Sequence, residues 1–352
     1  MTLYKLDYLR GFAAAYVVLG HIVEQTRFGK VYFASELLKQ GQVAVMLFFI
    51  LSGFVIHYNY YSKDFSFKIY FIKRFRRIYP IFLISILIGF LIACYTGVLY
   101  KRTWFDLLGN LINMQDLPLM EGTNAKPYFN APLWSLSYEW FFYIMYLPLI
   151  WYSRKKNFCI YNISLVLSFL GFLFYLFYPN KIALNFIYLI IWSTGADIAE
   201  NYFLSKKYLI KIFIKHIFVF LFFSTVFFSL YMLDIDQDGL AKRHWFRIFQ
   251  HFFVSLGLIS TAFIWKKAKW LFFDKIFKTF NNVAPFSYAL YVIHQPIMIL
   301  FFKNYGNKKL DPIEIICSMA ITIIISWALE VKLQPIINQY SKRFIKINKI
   351  IK

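Results

Sequence analysis

Ten apolar stretches, each close to the length of a bilayer-spanning helix, alternate with short polar segments along the 352-residue chain. A helix needs roughly 20 mainly apolar residues to cross the hydrocarbon core of a membrane. The pattern therefore predicts ten transmembrane helices, at 6–24, 42–61, 78–99, 132–152, 158–178, 183–200, 211–233, 245–265, 281–302 and 312–333. The predicted fold class is an all-α polytopic membrane protein, with a transmembrane domain over residues 1–340 and a short basic tail over 341–352.

Composition and charge support this class and predict an orientation. The chain is 60% hydrophobic and 16% charged, which is unusual for a soluble domain. Its net charge of +22 could indicate a nucleic-acid partner, but the basic residues are unevenly placed. Of the 39 Lys and Arg residues, 24 fall in segments that would share one side with the N-terminus and 13 on the other side. This positive-inside bias predicts cytoplasmic N- and C-termini, membrane lipids as partners and no nucleic acid.

The first predicted span carries two residues that a lipid-facing helix would exclude. Arg10 and His21 are eleven residues apart, which on a helix is a rotation of roughly 20° and a rise of about 16 Å. They share one face at two depths, and Asp7 lies one turn before Arg10, where it could pair with it. Titratable residues inside a span indicate function, either catalysis or transport.

The three cysteines indicate neither a disulfide framework nor a metal site. Cys94, Cys159 and Cys317 are scattered among apolar residues without ligand spacing. We therefore predict no bound metal.

Five motifs in order along the chain resemble the acyltransferase-3 family, bacterial integral-membrane enzymes that acylate sugars. They are LDYLRG followed by nine residues and His, then FFILSGFVI at 48–56, RFRRIYP at 74–80, WSLSYEWFFY at 134–143 and FSYALYVIH at 286–294. One such motif would be weak evidence, but five in family order cover the whole chain.

The resemblance assigns expected roles to charged residues. It implies that His21 is catalytic, and a neutral imidazole there can act as general base. Arg74 and Arg77, expected on the approach to the third span, would hold the phosphates of coenzyme A, and Arg10 would contact the same donor. Glu139 is expected near His21 in depth, orienting that histidine or contacting sugar hydroxyls.

The remaining site candidates come from the same motifs and have simpler alternative interpretations, such as helix packing or a polar seam inside the bundle. They are Asp7, Ser52, Trp134, Ser135, Ser137, Tyr291 and His294.

The resemblance implies a multi-pass acyltransferase of a bacterial inner membrane. Its expected donor is acetyl-coenzyme A or another acyl-coenzyme A, used as a co-substrate rather than a bound cofactor. Its expected acceptor is a hydroxyl of a surface glycan or of a lipid-linked precursor. The alternative from residues alone is a transporter or flippase, because titratable groups within spans suit ion relays equally well. Acetyl and succinyl donors, direct transfer and an acyl-histidine intermediate, and the oligomeric state are all left open.

Overall fold

The computed structural model describes residues 4–25, 41–61, 66–97, 103–113, 115, 128–205, 210–233, 239–302 and 312–341. Helices account for nearly all of these residues, and no strand occurs among them. In chain order they are α1 Tyr4–Gln25, α2 Gly41–Tyr60, α3 Phe67–Tyr95, α4 Thr103–Leu111, α5 Trp134–Lys156, α6 Ile160–Phe177, α7 Lys181–Ser205, α8 Ile210–Leu233, α9 Gly239–Lys267, α10 Phe273–Phe277, α11 Ser287–Phe302 and α12 Pro312–Ser341.

Nine of the helices within the described part of the chain are long and apolar enough to cross a membrane. The remaining predicted span, 132–152, corresponds to α5, whose 23 residues are long enough but include Ser135, Ser137 and Glu139 and end in three basic residues. Its polar side chains lower its apolar content, and most of them face other helices. The predicted class, an all-α polytopic membrane protein, is confirmed.

Helix α3 differs from its predicted boundaries in a way that matters for the arginines. It was expected to begin near residue 78, but it begins at Phe67, with Ser66 accepting a hydrogen bond from the backbone N–H of Ile69. Pro80 lies inside the helix and does not end it. Arg74 and Arg77 therefore lie within a helix, one turn apart on the same face, rather than on a preceding loop.

Two glycines bring α2 and α7 into close contact at the centre of the bundle. A Cβ added to Gly53 would lie 1.9 Å from the carbonyl oxygen of Trp192, and one added to Gly195 would lie 1.9 Å from that of Ile50. Small residues at a crossing allow helix backbones to approach in this way. Helix packing was the simpler interpretation of Ser52 in the second motif, and its neighbour Gly53 provides that packing.

The degree of burial shows which helices are central. In the most apolar window of α7, 83% of the residues are buried, against 28% in α8 and 17% in α12. Helix α7 packs mainly against α2 and α6 and more narrowly against α5, while α1 packs against α2 and α11.

The first and last helices place their predicted cytoplasmic ends together. Lys5 of α1 forms an ion pair with Asp274 of α10 at 2.6 Å, and Arg76 of α3 donates to Ser341 of α12 at 2.6 Å. Arg10 and Asn338 line one cavity. The described ends of α1 and α12 are thus on the same side of the bundle, as the charge pattern predicts, and residues 342–352 of the predicted tail lie outside the described residues.

Candidate active site

A cavity of about 440 Å³ collects the basic residues that the sequence assigned to donor binding. We call it the arginine cavity. Its basic lining comes from α1 and α3, and consists of Arg10, Lys73, Arg74, Arg76 and Arg77. The structure therefore brings the three predicted donor-binding arginines to one site, although α1 and α3 are far apart in sequence. Asp7 lies 3.4 Å from Arg10, the pairing expected from their spacing.

The two arginines of the third motif have different environments. Arg77 forms an ion pair with Glu330, whose side chain is 1% exposed, on the π-helical segment of α12. Arg74 instead lies over the rings of Tyr70 and Tyr143, at 6.0 and 5.7 Å. Its buried Nε has no hydrogen-bond partner among the residues that the structure describes. Arg74 therefore has more capacity left to bind an anion than Arg77 has.

Glu139 lies in the arginine cavity and not beside His21, so the depth expected for it is wrong. Its carboxylate accepts hydrogen bonds from Tyr143 and from Ser52, the latter at 3.2 Å. Ser52 also accepts from the indole N–H of Trp192 at 3.4 Å. Ser52 and Glu139 thus share one wall of the cavity.

The error in depth arises where α5 begins. The segment before it enters the bundle: Asn130 donates to the carbonyl of Val292 at 2.7 Å, and the backbone N–H of Ala131 donates to Gln295 at 2.6 Å. Both partners lie in the middle of α11. Helix α5 therefore starts already inside the bundle, and Glu139 lies correspondingly deeper.

His21 lines a second cavity of about 390 Å³, which we call the histidine cavity. Its polar lining comes mainly from α1, α2, α9 and α11, and includes Glu24, Gln42, Arg247, Gln250, His251 and Gln295. Nδ1 of His21 is 3.4 Å from the carboxylate of Glu24, one helical turn away. Glu24 can therefore pair with the imidazole when it is protonated, although Nδ1 makes no hydrogen bond within the described part of the chain.

His294 lies behind His21, with the two ring centroids 5.2 Å apart. Its Nδ1 is 2.8 Å from the carbonyl oxygen of Tyr291 and 3.1 Å from that of Leu290. Carbonyls only accept hydrogen bonds, so Nδ1 of His294 carries a proton and its Nε2 keeps a lone pair. That Nε2 is buried without a hydrogen-bond partner. The structure therefore brings together the two histidines that the motifs indicated.

The other predicted residues of α5 and α11 lie between or beside the cavities. Ser135 and Tyr291 share a hydrogen bond of 2.7 Å. Trp134 lies in the histidine cavity, nearly parallel to the ring of His251 at 5.8 Å. Ser137 lines neither cavity and donates to the carbonyl of Trp134 at 2.6 Å, which makes its role structural.

Sequence reasoning missed Glu24, His251 and Glu330. The spacing of Glu24 from His21 was a usable signal, because residues three apart share a helix face. His251 and Glu330 lie inside predicted spans, which was a usable signal, but no motif singled them out and their contact with the site arises only through tertiary packing. Asp197, a further carboxylate inside a span, lines neither cavity and instead pairs with Lys215 and His216, at 2.8 Å each.

Comparisons with known proteins decide the family. A family model described as an acyltransferase domain matches residues 3–331, nearly the whole chain. The chain belongs to the acyltransferase-3 family. This acyltransferase-3 protein is also similar to a curated protein named Acyltransferase MdmB, from Streptomyces mycarofaciens, with 37% identity over 159 residues. The match spans 44% of this chain and 40% of that relative. No solved structure matches the chain.

Membership confirms the resemblance noted from the five motifs and agrees with the multi-pass helical architecture. The enzyme class predicted from the sequence, acyltransferase, is confirmed at the level of the family.

Proposed function

We propose that the protein transfers an acyl group, most simply acetyl, from cytoplasmic acyl-coenzyme A to a hydroxyl of a surface glycan or its lipid-linked precursor. The observation that carries the proposal is the pair of adjoining cavities, one lined by arginines and the other by His21. An anionic donor and a neutral acceptor need such different environments. The proposal includes a location in the inner membrane of a bacterium.

The arginine cavity suits the donor. Coenzyme A carries several phosphates, and guanidinium groups bind phosphate through paired, charge-assisted hydrogen bonds. Arg74 lies in this cavity with the most capacity to bind an anion, while Arg10 is paired with Asp7 and part of the charge of Arg77 is already neutralised by Glu330. Glu139 and Ser52 line the same cavity, where the carboxylate would repel phosphate and favour the neutral arm of the donor.

The histidine cavity suits an acceptor rich in hydroxyl groups. The amides of Gln42, Gln250 and Gln295 can each donate and accept hydrogen bonds, and Trp134 offers a flat apolar face. These groups are typical of sites that bind carbohydrate. Neither the acceptor sugar nor the hydroxyl is specified by them.

The proposed chemistry is general-base catalysis of acyl transfer. Nε2 of His21 accepts the proton of the acceptor hydroxyl as its oxygen attacks the thioester carbonyl carbon. The carbon–sulfur bond then breaks, the coenzyme A thiolate leaves, and it takes up the proton from His21. Glu24 lies next to Nδ1 and stabilises the imidazolium formed between these steps.

Acyl transfer can be measured with labelled acetyl-coenzyme A and a membrane glycan fraction, per unit of inserted protein. General-base catalysis contributes about 10²–10⁴ in rate, so His21→Ala and His21→Gln should both lose nearly all transfer. His244 lies on α9 and lines neither cavity, so His244→Gln is a matched control that should retain activity. An active His21→Gln variant would exclude the base role, and a wild-type protein that labels no glycan would favour a transporter instead.

A further inference from the structure

Val45 of α2 and Tyr291 of α11 line both the arginine cavity and the histidine cavity. They form the boundary between the two spaces. Any group that passes from a donor at the arginines to His21 must therefore contact this pair of side chains.

Tyr291 is held in place by its hydroxyl group. It donates a hydrogen bond to the carbonyl oxygen of Pro132 at 2.8 Å and shares a second hydrogen bond with Ser135 at 2.7 Å. The edge of its ring contacts Phe48, with the centroids 5.8 Å apart. Turning the ring aside would break both hydrogen bonds inside the bundle, at a cost of about 1 kcal/mol or more each.

Val45 is equally restricted, because its side chain is branched at Cβ and is 3% exposed. The valine methyl groups and the tyrosine ring thus form a rigid apolar boundary. A rigid wall distinguishes ligands by length, since an extra methylene that does not fit must displace packed atoms.

We propose that Val45 and Tyr291 limit the length of the acyl group that this protein transfers, and that the boundary favours short acyl chains over long ones. The inference rests on the proposed function, in which the donor phosphates lie at the arginines, the thioester carbon reaches the arginine side of the boundary, and the acceptor hydroxyl approaches that carbon from His21. The acyl chain then lies at the boundary, where each added methylene meets Val45 or the ring of Tyr291. A single methylene in such a pocket changes kcat/KM by about 10- to 200-fold.

The test measures transfer from acetyl-, propionyl-, butyryl- and hexanoyl-coenzyme A to one membrane glycan fraction, with the full-length protein in proteoliposomes. The readout is the ratio of butyryl to acetyl transfer within each variant, so differences in folding yield cancel. Val45→Ala enlarges the boundary and should raise this ratio about tenfold or more. Tyr291→Phe keeps the ring but releases it from Pro132 and Ser135, and should also raise the ratio.

Two matched controls make the same valine-to-alanine substitution at other positions of the cavities. Val55 lines only the arginine cavity and Val43 only the histidine cavity, so Val55→Ala and Val43→Ala should leave the ratio unchanged. A ratio that Val45→Ala leaves unchanged, or raises no more than the controls do, would overturn the inference. So would a wild-type protein equally active with hexanoyl- and acetyl-coenzyme A. If the wild type transfers no acyl group at all, the proposed function fails, and this outcome is distinct from acetyl transfer with an unchanged ratio.

Discussion

Removing Arg77 should destabilise the protein through Glu330 and not only weaken donor binding. The Glu330 side chain is 1% exposed, and that of Arg77 is 35% exposed. The second carboxylate oxygen of Glu330 accepts a hydrogen bond from the backbone N–H of Ala289 at 2.9 Å. The pair thereby links α3, α11 and the π-helical segment of α12.

The loss in the free energy of unfolding depends on which partner of the ion pair remains after the substitution. Arg77→Met leaves a buried carboxylate without its cation, a loss that costs about 3–5 kcal/mol for a fully buried pair. Because Arg77 is one-third exposed, we expect roughly 2–3 kcal/mol in the free energy of unfolding. Glu330→Gln should cost less, about 1 kcal/mol, since the amide oxygen still accepts from Ala289 and Arg77 can turn towards water. The double variant should be more stable than Arg77→Met alone, because no buried charge remains.

The free energy of unfolding can be measured by titrating each purified variant with dodecyl sulfate in mixed micelles and following tryptophan fluorescence. Arg76→Met is a matched control on the same helix, since Arg76 bonds to the hydroxyl of Ser341 and pairs with no carboxylate among the described residues. It should cost no more than about 1 kcal/mol. If Arg77→Met and the double variant are equally destabilised, the loss of stability in Arg77→Met does not come from an unneutralised Glu330 carboxylate.

Three further predictions concern the site and the membrane. Arg74→Ala should weaken coenzyme A binding about 10- to 100-fold, as measured by calorimetry. Arg74→Lys should recover part of this affinity, because a lysine restores the charge but not the paired hydrogen bonds. Equal affinity in the wild type and both variants would mean that Arg74 only sets the orientation of its helix in the membrane. Glu24→Gln should lower kcat about tenfold without changing donor affinity, a smaller loss than for a buried triad carboxylate because Glu24 is 60% exposed; an unchanged kcat would make Glu24 a bystander. A reporter fused to the C-terminus should be active in the cytoplasm, as the basic asymmetry predicts, and an external signal would reverse the orientation.

The fold class could be predicted from sequence because a bilayer imposes a length and a polarity on each span. The arginine cavity could be anticipated for a similar reason, since Arg10, Arg74 and Arg77 are basic residues that lie within or beside apolar segments. His21 and His294 were found because each lies within an apolar segment and belongs to a motif. These signals are local, and each can be read without knowing which helices are neighbours.

The depth of Glu139 could not be predicted in this way. Counting residues from the start of a hydrophobic stretch assumes that the stretch begins at the membrane surface. Here the stretch begins inside the bundle, since Asn130 and Ala131 already bond to α11. The partner of Arg77 was hidden for a different reason, because Glu330 follows about 250 residues later in a span without a motif.

Helix α11 explains why the two cavities meet where they do. Tyr288 lies over Arg77 in the arginine cavity, Tyr291 lies at the boundary, and His294 lies against His21. These residues follow at intervals of three, so about 9 Å of one rigid helix separates the first from the last. The same helix fixes the start of α5 through Gln295, and α5 in turn carries Glu139 and the Ser135 that holds Tyr291. The distance between the donor-binding arginines and the histidine is therefore set by the pitch of a helix and not by a loop. This rigidity is what a boundary needs if it is to distinguish one acyl length from the next.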